Sequence, residues 1–153
     1  MRSIVRRILP AVVGACLIMM SNTYSGQGEA AAQQRTPVTV TRIYAGSDGQ
    51  THAEQVDVKV TPGGGKEQSE RVKVTSSYFL RFPPGFVQDW HPVTTRRYLI
   101  TLSGQGEIEL AGGRKIPLGP GQILQAEDLS GKGHITRTVG KKDWTALEVQ
   151  FDQ

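Results

Sequence analysis

The sequence predicts an all-β domain whose strands close into a barrel or sandwich, and three observations carry this. Apolar and polar residues alternate at Val56, Val58 and Val60, and again at Ile108 and Leu110, the period-two mark of strands with one buried face. Turn-forming groups recur at close spacing, among them Asp48-Gly49, Pro62-Gly63, Pro83-Pro84-Gly85, Gly112-Gly113 and Gly119-Pro120-Gly121. No apolar pattern of helical period outlasts a single turn after Thr36. Many short strands leave open edges that pair with other chains unless the sheet closes.

The chain before this domain reads differently. Met1 to Arg7 carries three arginines and no acid, and an apolar run follows from Ile8 to Met20. That run is shorter than the roughly 20 apolar residues of a spanning helix. A polar, Gly-containing stretch from Ser21 follows it and leads to the small residues Ala30-Ala31-Ala32. These are the parts of a secretory signal, so residues 1–32 are expected to be cleaved after Ala32. The barrel domain then occupies 36–153 in an exported, periplasmic or secreted protein with no stable transmembrane span. Val13-Gly14-Ala15-Cys16 also resembles a lipobox, which would anchor the protein by lipid at Cys16, although the apolar run continues past it through Leu17-Ile18-Met19-Met20.

From Pro37 to Tyr44 β-branched residues predict a first strand, closed by the turn at Ala45 to Gly49. The Val56–Val60 strand ends at Thr61-Pro62, and a polar loop is expected through Glu70. Val72, Val74 and Tyr78 to Phe82 give the next strand, up to the corner at Pro83-Pro84-Gly85. Tyr98 to Leu102 is a strand, as are the alternating Ile108 and Leu110. Gly112-Gly113 permits the positive φ of a tight hairpin, and Ile116-Pro117-Leu118 is its short return. Ile123-Leu124, His134 to Val139 and Trp144 to Phe151 complete about nine or ten strands. Leu99, Ile100, Leu102, Ile108, Leu110, Ile123 and Leu147 are the expected core.

Removal of residues 1–32 leaves 121 residues with a net charge of +2, against +4 for the whole chain. No basic stripe interleaves with aromatics, so nothing points to nucleic acid. The only cysteine lies in the signal, which excludes disulfides and thiol chemistry from the domain.

The remaining chemistry rests on three histidines, His52, His91 and His134. His91 follows the Pro-Pro-Gly corner and His134 follows Gly131-Lys132-Gly133, in loops where binding residues concentrate. Asp89 and His91 are two apart, so on a strand they share a face, with Trp90 opposite as packing.

The stretch Asp89-Trp90-His91 … Arg96-Arg97-Tyr98-Leu99-Ile100-Thr101-Leu102-Ser103-Gly104, with Leu118-Gly119-Pro120-Gly121 and Glu127 to His134, resembles a small single-domain cupin. Tyr44 to His52 is more loosely similar to the start of a subgroup of such proteins. The resemblance implies a double-stranded β-helix, the jelly-roll barrel. It also implies a divalent metal, zinc, iron, manganese or nickel, held by His91, His134 and His52 with Asp89 as a fourth candidate. Asp89 stands where the family's first histidine is usual, and Arg97 near the place of its glutamate. Arginine never deprotonates to become a ligand. Arg97 thus either points away from the cavity, or helps Arg96 and Tyr98 to hold a small anionic or polar molecule, or pairs with Glu127 or Asp128. Two functions remain open on the sequence: a metal-dependent enzyme acting on a small organic molecule, and a non-catalytic envelope protein that binds a small anionic ligand without metal. A homodimer through exposed strands is a further implication of the resemblance.

Overall fold

Alternation becomes pairing in the computed structural model, which describes residues 36–152. The expected signal, its cut after Ala32 and Cys16 lie outside the described residues. Twelve strands follow in order: β1 (Thr39–Ala45), β2 (Thr51–Asp57), β3 (Val60–Gly63), β4 (Lys66–Ser69), β5 (Lys73–Phe82), β6 (Val87–His91), β7 (Arg97–Ser103), β8 (Gly106–Glu109), β9 (Lys115–Leu118), β10 (Ile123–Glu127), β11 (His134–Thr138) and β12 (Trp144–Asp152). The one helical element among the described residues is a single 3₁₀ turn, Ala111–Gly113, so no helix there is long and apolar enough to cross a membrane.

The strands form a six-stranded sheet in the order β2-β1-β10-β7-β12-β5, a four-stranded sheet in the order β6-β11-β8-β9, and a separate β3-β4 hairpin. Only β1 and β10 run parallel; every other ladder is antiparallel. This mostly antiparallel, two-sheet arrangement resembles the jelly roll.

The expectation of a closed barrel is corrected here, because neither sheet closes on itself. The large sheet ends at β2 and β5 and the small one at β6 and β9, with no ladder joining any of these edges. The cause lies in the connections. At Pro83-Pro84-Gly85, where Gly85 takes φ +77°, the chain leaves the large sheet and β6 starts in the small one. Two open sheets then pack face to face, as in double-sheet jelly rolls.

The core lies between those sheets. Ile43, Leu99, Ile108, Leu110, Leu118, Leu124 and Trp144 are buried in it. Trp144 is 0% exposed; its ring stacks on Phe82 at 4.5 Å, and its indole N–H donates to Thr101 Oγ1 at 3.1 Å. A Cβ at Gly106 would stand 2.4 Å from the Trp144 ring, so only glycine lets β8 lie against it.

Of the expected core, Leu99, Ile108 and Leu110 are buried. Ile100, Ile123 and Leu147 are only half-buried, and Leu102 is 46% exposed. Strand parity explains the difference. Leu99 and Thr101 face inward, so Ile100 and Leu102 face out. On the outer face the register puts Phe79, Leu147, Ile100 and Ile123 side by side across four strands. The polar loop expected before Glu70 is instead the β3-β4 hairpin, every residue of which is exposed.

Candidate functional site

Between the sheets a small cavity opens on residues from both, with about 70 Å³ of room for the centre of a water-sized sphere. Its walls are Leu80, Phe82, Val93, Leu99, Ile108, Leu124 and Ala126, and its polar lining is Gln88, His91, Arg97, His134, Thr136 and Glu148.

Strand pairing brings the two histidines together. His91 ends β6, His134 begins β11, and the ladder sets them directly opposite, with ring centroids 4.5 Å apart. Gly133 makes the approach possible: it holds φ +74°, and a Cβ there would fall 2.0 Å from the His91 carbonyl oxygen.

Each ring is held from behind. His91 Nδ1 lies 2.7 Å from the Asp89 carbonyl oxygen. His134 Nδ1 lies 2.7 Å from Asp128 Oδ2, the side chains being 4% and 0% exposed. Thr51 donates its hydroxyl proton to the same Asp128 oxygen at 3.0 Å. Burial holds the His91 imidazole below the ordinary histidine pKa; the Asp89 carbonyl opposes this, while His134 and Arg97 add to it.

This direction predicts a pH effect. Folding favours neutral His91, so the unfolded chain binds more protons at mildly acid pH. The resulting stability is fully present above the unfolded value of about 6.5 and is lost as pH falls through the lower folded value. A ring-nitrogen titration should place the His91 midpoint below about 6.5; a midpoint at or above it would contradict the assignment.

Arg97 faces the cavity, on the same side of β7 as Leu99. Its acidic partner is Glu148, 3.0 Å away, with side-chain exposures of 18% and 6%. Neither Glu127 nor Asp128 fills that role. Glu127 accepts from Arg42 Nε at 2.7 Å, and Asp128 is held by His134 and Thr51. Two further N–H groups are engaged, Nε donating to the Thr95 carbonyl at 3.0 Å and Nη2 to Thr94 Oγ1 at 3.2 Å. Glu148 also accepts from the Tyr78 hydroxyl and from Gln150; the bond to Glu148, then burial, raises the Tyr78 pKa.

The other sequence-expected residues lie elsewhere. His52 pairs with Asp48 at 3.0 Å and lines a different cleft with Tyr44 and Arg114. The Asp89 carboxylate accepts from the backbone N–H of Trp90 at 2.8 Å and is absent from the cavity lining. Trp90 points the other way, as parity requires, with Lys132 Nζ 3.8 Å from its ring centre. Arg96 lies 3.9 Å from Glu127, and Tyr98 stacks on Phe151 at 4.8 Å; neither lines the cavity.

These positions decide the fit of a metal. Among the described residues no group of three or more His, Cys, Asp or Glu side chains is placed to hold one, which corrects the expectation of metal binding. Two adjacent imidazoles fall short of the three or four protein ligands of zinc-type sites. The remaining charges beside them, Arg97 and Glu148, are bound to each other.

Sequence reasoning missed Glu148 as a site residue and named Asp128 only as a partner for Arg97, not for His134. For Glu148 a signal existed. Trp144, Ala146 and Glu148 alternate along β12, and an acid on the tryptophan's face of a strand must be buried with a cation. Asp128 carries no such mark, since its partners lie in other segments.

No protein-family model matches the chain, and no curated protein matches it. Solved structures resemble it at low identity. A cupin-like protein of Thermotoga maritima is 18% identical with a TM-score of 0.43, over 52% of this chain and 66% of that one. A cupin-2 domain protein of Shewanella frigidimarina is 15% identical with a TM-score of 0.41, over 56% and 83%. The DMSP lyase DddQ of Ruegeria pomeroyi is 19% identical with a TM-score of 0.44, over 86% of this chain and 54% of the lyase, so the chain spans about half of that enzyme's length.

Proposed function

We propose that the protein binds a small organic ligand in the cavity between its sheets, without a metal, and that it does so outside the cytoplasm after export. The observation that carries the reading is the division of the cavity: an apolar wall from Leu80 to Ala126, and polar groups gathered at His91, His134, Arg97 and Glu148. Such a division suits a molecule with an apolar body and one polar group, the usual composition of small-molecule sites. The four polar residues are held by the protein itself, so the site needs no rearrangement to receive a ligand. An anionic group, the partner expected for Arg97 alone, would have to share that guanidinium with Glu148. The charge now on offer is matched, so an uncharged polar group fits better. Export is supported by the sequence of residues 1–32 alone.

Thermal melts of untagged full-length protein with a library of small organic molecules test the proposal. A ligand present at 100 times its Kd should add about 2.7 kcal/mol and raise Tm by several degrees. Metal that copurifies near one per chain and whose chelation lowers Tm would overturn the metal-free reading. A library without one stabilising compound would overturn the ligand site.

A further inference from the structure

We infer that the cavity selects an uncharged ligand whose polar head donates hydrogen bonds, a primary amide on a branched apolar body being the pattern that fits. This rests on the reading of the cavity as a ligand site and names the ligand's chemistry.

The argument is a count of donors and acceptors. A carbonyl oxygen only accepts, so the contact between His91 Nδ1 and Asp89 O puts the ring proton on Nδ1. The lone pair of the neutral ring is then on Nε2. At His134 the Asp128 carboxylate accepts from both the Thr51 hydroxyl and the ring Nδ1–H, so the acceptor that is counted is the one at His91. Among the described residues neither Nε2 meets a hydrogen-bond donor. Arg97 gives three of its five N–H donors to Thr94, Thr95 and Glu148 and makes no bond to either ring. Gln88 and Thr136 can act in either sense and do not change the balance. The His91 ring thus presents an acceptor on one side of an apolar space. An amide NH₂ supplies the donor that His91 Nε2 lacks, and the amide oxygen can accept a remaining Arg97 N–H. A carboxylate would set lone pairs against lone pairs, and an ammonium would enter an apolar space beside the Arg97 guanidinium.

A matched set of ligands tests this: isovaleramide, N,N-dimethylisovaleramide, isovalerate and isoamylamine, added to full-length protein near neutral pH. Methyl resonances of Leu99, Ile108 and Leu124 report entry into the cavity, and the ring nitrogens of His91 and His134 report the hydrogen bond. Isovaleramide should bind roughly tenfold or more tightly than its dimethyl form, because a buried acceptor left unmade costs that much. His91→Phe keeps a ring and removes an acceptor; it should cut that preference to under about threefold and leave the dimethyl amide unchanged. The inference is overturned if isovalerate, the amine or the dimethyl amide binds as tightly as the amide, or if His91→Phe leaves the preference intact. If all four ligands shift the methyl resonances equally, the cavity is a ligand site and only its selectivity is wrong. If none shifts them up to ~100 mM, a weak limit for fragments of this size, the cavity reading falls and the inference with it.

Discussion

Arg97→Leu is expected to lower stability by about 3 kcal/mol, the low end of the cost of breaking a buried ion pair. The reason is what remains. Glu148 is 6% exposed and would keep the Tyr78 hydroxyl and the Gln150 amide, but no cation. The partial exposure of Arg97, 18%, keeps the loss from the top of the range. A denaturant melt measures the effect as a lower midpoint at unchanged slope. The double variant Arg97→Leu/Glu148→Leu separates the pair from its packing. With both charges gone no buried carboxylate is stranded, so much of the lost stability should return, since apolar replacement of a buried pair is often neutral or favourable. A cost below about 0.5 kcal/mol for Arg97→Leu, the level of an ordinary surface change, would mean that the guanidinium faces water.

The strands were legible because their causes are local. β7, β10, β11 and β12 begin and end within a few residues of the expected limits, since alternation and turn chemistry sit within a few positions of each other. Where a cause was distant the reading failed. Val56, Val58 and Val60 look like one strand, but β2 ends at Asp57. The backbone N–H of Val58 makes a last bond to the Val38 carbonyl at 2.8 Å, and the chain then leaves the sheet for the β3-β4 hairpin. Barrel closure failed for the same kind of reason. Each strand's edge pattern is local, but whether two edges meet depends on every connection between them.

The site was legible in part. His91 and His134 were nominated, and the β6-β11 ladder puts them side by side. Their supports were not readable. Asp128 reaches Thr51 across 77 residues of chain, and Arg97 reaches Glu148 across 51; no spacing rule spans such distances. His52 went into the expected set on a loose likeness and the need for another neutral donor, and Asp89 because it lies two residues from His91 on one strand. Their side chains instead satisfy nearby groups, Asp48 for one and the Trp90 amide for the other. A short-range partner competes well because ordering it costs little chain entropy.

The contact that assembles the histidine pair makes the last prediction. Gly133→Ala should destabilise the protein by about 2–5 kcal/mol, joining the strain of a left-handed non-glycine residue to that of overpacking. Two sources of strain are separable because the chain contains its own control. Gly140 has φ +89° with nothing within 4 Å of a Cβ, whereas at Gly133 the Cβ would meet the His91 carbonyl oxygen at 2.0 Å and carbon at 2.1 Å. Gly140→Ala should therefore cost only the backbone term, about 1–2 kcal/mol. The excess in Gly133→Ala is the price of pushing β11 off β6. Backbone atoms on both sides leave no flexible side chain to yield, so relief has to come from parting His91 and His134. The ring-nitrogen resonances of both histidines should shift in Gly133→Ala and stay in place in Gly140→Ala. Equal melting midpoints for the two variants, with unmoved histidine signals, would show that the strands accommodate the methyl and that Gly133 does not set the geometry of the site.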